Sequence, residues 1–346
     1  MKTVLITGSA GLIGSHLLSR FTSRGYRVIG IDSLIGGYVS NMPKDNGCFT
    51  HLQVDILDRK NLEIEVRKLT DRVDLTVHCA ALAHEGLSVF SPKTIVENIY
   101  SGTASICSLA VALNCPTFIN TTSMARYGNG VPPFKESDKL NPVDPYGLAK
   151  AHAEEHLNLM SDIYGFKVFH MVPHNVCGPH QCYSDPFRNV MSIFANRIKK
   201  RKPVYIYGDG EQKRSFSHVD DCVDAFVALY NKKDSIDNKE VFNIGPDDGT
   251  EITITELAYK VSAQFNEEAD IINVPGRPRE VKHAWVSTDK AKRVLGYKTK
   301  NDTQDTIRDT VNWMRNQPDR DFNYHLDLEI ITENTPKTWT DKLFNK

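Results

Sequence analysis

The run of apolar and polar residues along this chain predicts an α/β protein: a doubly wound parallel sheet followed by a smaller C-terminal α/β domain. Three observations predict it. Short apolar runs of strand length alternate with longer stretches of helical period through the first half. A glycine-rich turn follows the first run and opens the first helical stretch. Beyond about residue 174 the alternation breaks. Near-continuous apolar strands are those of a parallel sheet covered on both faces.

Residues 2–7 read as a strand, 12–23 as a helix and 26–32 as the second strand. A third strand is expected at 49–54, a helix at 60–69 and a fourth strand at 75–81. Then come a long helix at 92–114, a strand at 117–122, a helix at 145–164 and a strand at 167–172. Ligands of such sheets bind beyond the carboxyl ends of the strands. Later, a helix is expected at 187–200 and a strand at 203–207, before the turn Gly208, Asp209, Gly210. Helices follow at 220–232, 255–265 and 288–295, with a further strand at 241–244. The expected large domain is 1–174, with 217–247 returning to it. The smaller domain is 175–216 and 248–320, and 321–346 is an extension. The extension has weak periodicity and anchors at Trp339 and Phe344. It reads as a packed segment, a partner contact or a partly disordered tail.

With 346 residues, 40% of them hydrophobic, the chain can build one large or two modest cores. Its formal net charge is -1 and no half is strongly basic, which argues against a general nucleic-acid binder. The seven cysteines form no CxxC pair, and most lie in apolar runs. That pattern fits a reducing compartment without a structural metal. Cys177 and Cys182 flank His180 but lack a second cysteine pair. The start, MKTVLITG, is a strand's length of apolar residues and not a signal peptide. No segment reads as long enough to span a bilayer. A cytoplasmic protein with no membrane partner is expected.

In TGSAGLIGSHL, Gly8, Gly11 and Gly14 stand between the first strand and the first helix. Glycines there allow a tight turn and close approach of backbone N–H groups to a pyrophosphate, and the helix N-terminus favours the negative charge. The second strand ends at Asp32, which can accept hydrogen bonds from an adenine ribose and would repel a 2′-phosphate. NAD rather than NADP is the expected cofactor. Asp55, after the third strand, can reach the adenine amino group or cap a helix.

The stretch NPVDPYGLAKAHAEEHL starts a helix, with Asp144 as cap and Pro145 at the first position. Tyr146 and Lys150 then share one face. Alone, the pair is either a solvated surface pair or an acid–base device.

Together, TGSAGLIG, TTSMARYG and PYGLAK resemble the extended short-chain dehydrogenase/reductase family. PHNVCGP, YIYGDGEQKRSFSHVDD and GRPREV narrow the resemblance to its nucleotide-sugar epimerase and dehydratase branch, over residues 1–315. The resemblance implies a Rossmann-type fold, tightly held NAD used catalytically, and a catalytic set of Ser123, Tyr146 and Lys150. It implies cofactor contacts from Gly8, Gly11, Leu12, Ile13, Gly14, Asp32, Asp55, Ile56, Ala80, Asn98, Tyr146 and Lys150. Removing hydride from a carbinol leaves a proton for a base. Lys150 and a nicotinamide cation would lower the Tyr146 pKa toward that task.

Related 4,6-dehydratases carry Asp–Glu after the residue matching Ser123. Here Met124 and Ala125 stand there, and neither can move a proton. The expected activity is that of a UDP-glucose/UDP-N-acetylglucosamine 4-epimerase-like enzyme, working on UDP-hexoses or UDP-N-acetylhexosamines through a transient 4-keto sugar. A 4,6-dehydratase, a 3,5-epimerase using a pair such as Cys177 and His174, and a noncatalytic nucleotide-sugar-binding protein are the alternatives.

For the UDP-sugar, the resemblance implies Asn175 at a phosphate, Asn189 and Val190 near the nucleotide, and backbone contacts from Tyr205 and Tyr207 to uracil. Arg214 and Arg277 match pyrophosphate arginines, a role that suits the rigid guanidinium fork. Arg188 and Arg279 are weaker candidates, Arg279 standing where glycine is common. Val172 and Cys177 replace the usual arginine and tyrosine, and Ala83 a lysine. Glu85 is a sugar-binding acid or a loop ion pair. Ala284 matches a gate near the sugar's C2, where a small residue admits an N-acetyl group, or it is core packing. The family's dimers imply a homodimer through helices 92–114 and 145–164.

Overall fold

The computed structural model describes residues 1–43, 47–246 and 249–346. Seven strands form one parallel sheet: β1 (Thr3–Thr7), β2 (Arg27–Ile31), β3 (Phe49–Leu52), β4 (Leu75–His78), β5 (Thr117–Thr121), β6 (Lys167–Pro173) and β11 (Val241–Ile244). Their order is β11-β6-β5-β4-β1-β2-β3. The order reverses between β1 and β4, which pair directly, and that switch point is where doubly wound sheets hold ligands.

Alternation along each strand divides the core into two layers. Val4 and Ile6 of β1 face one layer, with Leu17 and Phe21 of α1 (Leu12–Thr22), Val223 and Phe226 of α8 (Val219–Lys232), and Leu295 of α10 (Asp289–Leu295). Leu5 faces the other, with Leu62 of α2 (Arg59–Arg67), Ile106 and Leu109 of α5 (Gly102–Ala112), and Leu157 of α6 (Pro145–Tyr164). Period-two strands buried on both faces require this split.

Between β4 and α5 lie a single turn, α3 (Glu85–Ser88), and α4 (Pro92–Val96), which runs into α5 through a π-helical turn at Glu97–Ser101. The span Pro92–Ala112 corrects the expectation that no segment is long enough to cross a bilayer. Its 21 residues pass by length and by a mean hydropathy of 1.2. Here the apolar side of α5 packs on the sheet, with Thr103, Ile106, Cys107 and Leu109 buried.

The smaller core gathers Phe194 and Ile198 of α7 (Val190–Lys199), Val204 and Ile206 of β8 (Val204–Tyr207), Leu257 and Val261 of α9 (Ile254–Phe265), and Ile307, Val311 and Met314 of α11 (Thr303–Arg315). β8 pairs in parallel with β13 (Ile271–Val274). Short ladders join β7 (Val176–Cys177) to β10 (Ser217–His218), and β9 (Lys213–Arg214) to β12 (Ile252–Thr253) and β14 (His283–Ala284). The domain boundary expected at 247–248 lies outside the described residues.

Two local expectations change, and one open reading is decided. The helix expected from 187 starts at Val190, because Asn189 caps it through Met191 N. Helix α11 was not expected, although Ile307, Val311 and Met314 recur at helical spacing and Asp302 and Asp305 form a capping box. The extension is packed, with Phe322, Trp339 and Phe344 buried and a short helix α12 (Lys337–Thr340).

Candidate active site

The carboxyl ends of β1, β2, β4, β5 and β6 open onto one cleft of ≈ 440 Å³ between the sheet and the smaller core. At its cofactor end, Gly11 is the N-cap of α1 and supplies no side-chain cap, so the first-turn N–H groups are free of an internal carboxylate or hydroxyl. Gly8 has φ +69, and a Cβ there would lie 2.8 Å from Ala80 N. A Cβ on Gly14 would lie 2.0 Å from Gly8 O. The turn and the strand therefore approach so closely that only glycine fits, leaving bare backbone facing the cleft, as a dinucleotide pyrophosphate requires.

Asp32 accepts from Ala10 N at 2.9 Å and Leu34 N at 2.7 Å, so both oxygens are held in place at the end of β2. Asp55 accepts from Leu57 N, and the cap of α2 is Asp58, which removes the helix-cap reading of Asp55. Asn98 accepts from Leu82 N at 2.7 Å. Leu12, Ile13, Ile56 and Ala80 line the same end of the cleft. These residues fit NAD.

Asp144 caps α6 through Gly147 N at 2.7 Å, and Pro145 occupies the first turn. The helix presents Tyr146 and Lys150 to the cleft opposite the end of β5, where Ser123 interacts with the Tyr146 hydroxyl. Lys150 Nζ donates to Thr121 O at 2.8 Å. Burial lowers the Lys150 pKa to about 8. The Tyr146 phenol is raised to about 12, mainly by burial, against the lowering hydrogen bond of Ser123. Loss of solvent dominates the phenol in the cofactor-free protein, whereas the expected lowering was that of Lys150 together with a nicotinamide cation.

On the substrate side, Arg277 lies 4.5 Å over the Tyr207 ring and is clamped by Glu280, at 2.9 Å to Nη2 and 3.3 Å to Nε. Arg214 donates to the carbonyls of Lys213, Val281 and Lys282. Asn175, at φ +38, donates to Ser215 O, and Asn189 is committed to the α7 cap and to Val176 O. Val190 and Tyr205 also line the cleft. Glu85 is open to the cleft, yet the surrounding protein replaces bulk water. Desolvation and then Asp144 raise its carboxyl to about 7, against Arg214 and Arg277.

Ala284 is the exception among the predicted residues. It is buried in β14, beside Arg214 of β9, and is not among the residues that line the cleft. The packing reading accounts for it. Arg279 has φ +61, which explains why glycine suits that position, and its side chain is exposed. His174 and Cys177 offer no acid–base pair: burial holds the imidazole down to about 3 and the thiol up to about 12. Cys177, His180 and Cys182 engage separate partners, Asn189, Ser15 and Tyr38.

His84, Asp185 and His325 bring donor atoms within 4.8 Å of one another. His84 Nε2 and Asp185 Oδ2 are 2.7 Å apart. Two ligands of a tetrahedral ion with bonds of about 2.1 Å would be about 3.4 Å apart. The pair is a hydrogen bond, and it orders the loop whose Phe187 N also donates to Asp185.

Several cleft residues had a weak signal or none. Arg188 lines the cleft, and its charge lowers the pKa of both Tyr146 and Lys150. Glu280 was readable as an opposite charge three residues after Arg277. Trp339 and Phe344 reach the cleft from the far end of the chain.

The comparisons agree with this geometry. Residues 4–245 match the NAD dependent epimerase/dehydratase family. A UDP-glucose 4-epimerase of Mycolicibacterium smegmatis is 27% identical, over 92% of this chain and 99% of that protein. The Thermus thermophilus UDP-glucose 4-epimerase in complex with NAD superposes with a TM-score of 0.82 at 27% identity, covering 91% of this chain and 99% of that one. A UDP-N-acetylglucosamine 4-epimerase from Methanobrevibacter ruminantium, bound to UDP-N-acetylmuramic acid, does so at 0.80 and 29%, covering 90% and 98%. Its glycine turn, its Tyr–Lys helix and a match spanning most of the sheet make this chain a member of the NAD dependent epimerase/dehydratase family.

Proposed function

We propose that this protein is an NAD-dependent 4-epimerase of nucleotide sugars, acting on a UDP-hexose or a UDP-N-acetylhexosamine. The observation that carries the reading is the convergence of Ser123, Tyr146 and Lys150 on one cleft, with Met124 and Ala125 where an eliminating acid pair would stand. Bound NAD would supply the hydride acceptor and donor for C4, so that the sugar passes through a 4-keto form with no net reduction of cofactor. Tyr146 removes the C4 hydroxyl proton and later restores it. Ser123 orients that hydroxyl and favours the phenolate. Lys150, held at the end of β5, contributes positive charge beside the cofactor. Arg214 and Arg277 hold the diphosphate, while Asn175, Asn189, Val190, Tyr205 and Tyr207 surround the nucleotide. Glu85 meets the sugar.

Of the cleft's carboxyls, Asp32 and Asp55 are at the cofactor end, Asp185 is tied to His84, and Glu280 is tied to Arg277. Glu85 alone is left for the sugar. A single acid does not make the pair that 4,6-dehydration uses.

We further infer a homodimer through α4–α5 and α6. Val96, Tyr100, Leu148, Leu159 and Ile163 are exposed on these helices, Leu159 at 59% and Ile163 at 60%. Cys107, Cys115, Cys177, Cys182 and Cys222 are buried thiols, which supports a reducing cytoplasm.

A proton NMR time course on the purified protein tests the activity, with UDP-glucose, UDP-N-acetylglucosamine, UDP-glucuronate and GDP-mannose offered separately. A C4 epimer without net NADH is the expected product, absent with Tyr146→Phe. A 4-keto-6-deoxy sugar would overturn the epimerase reading.

A further inference from the structure

The C-terminal extension crosses from one domain to the other along the substrate side of the cleft. Just before it, Arg320 lies 4.5 Å over the Tyr38 ring. Glu329 accepts from Lys93 N and Thr94 N at the start of α4. Arg197 of α7 donates to the carbonyls of Leu343 and Phe344. Between these anchors, Trp339 lines the cleft and Thr338 touches the cleft residue Tyr207. Trp339 is 3% exposed and packs edge-on against Phe90 and Phe187, with ring centroids at 5.8 and 5.5 Å.

The contacts of this pair lead to one residue. Thr338 Oγ1 shares a hydrogen bond with the Tyr207 hydroxyl at 2.5 Å. The Tyr207 ring carries the Arg277 guanidinium on its face, at 4.5 Å. A Cβ on Gly86 would sit 2.9 Å from Arg277 Nη1 and 3.8 Å from Trp339 Cη2. The guanidinium is therefore bounded by the tyrosine face, by the Gly86 turn that Trp339 backs, and by the Glu280 carboxylate. An arginine has many rotamers, and ordering it only on binding would weaken affinity.

We propose that Thr338 and Trp339 are positioning residues for Arg277: the extension holds Tyr207 and the Gly86 turn so that the guanidinium is already aimed at the diphosphate. The inference rests on the reading of Arg277 as a diphosphate ligand. It gives the extension a role in nucleotide-sugar affinity and none in hydride transfer.

The test uses the full chain loaded with NAD. Thr338→Val keeps the shape and removes the hydroxyl. Its Kd for UDP, by calorimetry, and its KM for the nucleotide sugar should rise about 5-fold, the weight of one hydrogen bond. Bound NAD and kcat should stay at wild-type values, Tm should fall only by the few degrees that one lost hydrogen bond costs, and Thr338→Ser should restore both affinity and Tm. In an Arg277→Ala background, Thr338→Val should add nothing, since its effect runs through the arginine. An unchanged Kd in Thr338→Val, or full additivity with Arg277→Ala, overturns the inference. Wild-type protein that binds no UDP overturns the nucleotide-sugar reading beneath it, and the inference with it. Wild-type binding with wild-type affinity in Thr338→Val leaves that reading standing and removes only the positioning role.

Discussion

Lys150 Nζ donates to the carbonyl of Thr121 at 2.8 Å, so a helix-borne ammonium is pinned to the end of a central strand. The bond fixes its position, while burial lowers its pKa from 10.5 to about 8. In the cofactor-free protein the charged lysine is therefore a cost to the fold, of about 3 kcal/mol at neutral pH. Below about pH 8 both folded and unfolded chains hold the proton and the cost is full. Between about 8 and 10.5 the folded state has lost it and the unfolded state has not, so wild-type stability rises. Lys150→Met should stabilise the cofactor-free protein by about 1–3 kcal/mol at pH 7, and the gain should shrink by pH 10. Urea denaturation at the two pH values measures this. The same variant should lose turnover.

Tyr146→Phe removes the proton acceptor and keeps the ring in its buried place. Turnover should fall about 100- to 10,000-fold. NAD content and the melting temperature should change little. Progress curves by NMR and the absorbance of released cofactor separate the two.

Glu85 lines the cleft with a carboxyl raised to about 7, so it is largely ionised above that pH, and the proposed function puts it at the sugar. An ionised Glu85 repels a uronic acid and accepts from a sugar hydroxyl. Glu85→Gln should improve kcat/KM for UDP-glucuronate relative to UDP-glucose by about 10-fold at pH 8, the effect of a lost like-charge contact near 1.4 kcal/mol. The gain should fade by pH 5.5, where the wild-type side chain is protonated. Competition assays at both pH values read the ratio.

Gly14→Ala places a methyl group 2.0 Å from Gly8 O, backbone that cannot give way without opening the turn. NAD affinity should drop at least about 10-fold, because the turn's N–H groups lose their spacing to the pyrophosphate. Gly25→Ala, in the turn between α1 and β2 and meeting nothing within 4 Å, separates this from a general glycine effect. Gly25 has φ +77, so its variant should lose about 1 kcal/mol of stability and keep its NAD. Fluorescence titration with NAD distinguishes them.

Local chemistry made most of the first domain legible from sequence. Period-two apolar strands, the Gly8–Gly11–Gly14 turn, Asp32 at a strand end and the Asp144–Pro145 helix start are each decided by neighbours within a few residues. Local rules would also have given α11, which was not expected, since its capping box and Ile307–Val311–Met314 spacing are plain in the chain. Tertiary structure decided what depends on distant segments meeting. It buried Ala284 in a ladder beside Arg214, so that the arginine lines the cleft and the alanine does not. It raised the Tyr146 phenol to about 12, since desolvation depends on what surrounds the ring and not on its spacing from Lys150. It also brought Thr338 to Tyr207, 131 positions apart, so that residues from an aperiodic tail complete the wall around Arg277. Backbone preferences act over a few residues and are written in the chain. Burial, and the electrostatics that follow from it, belong to the folded arrangement.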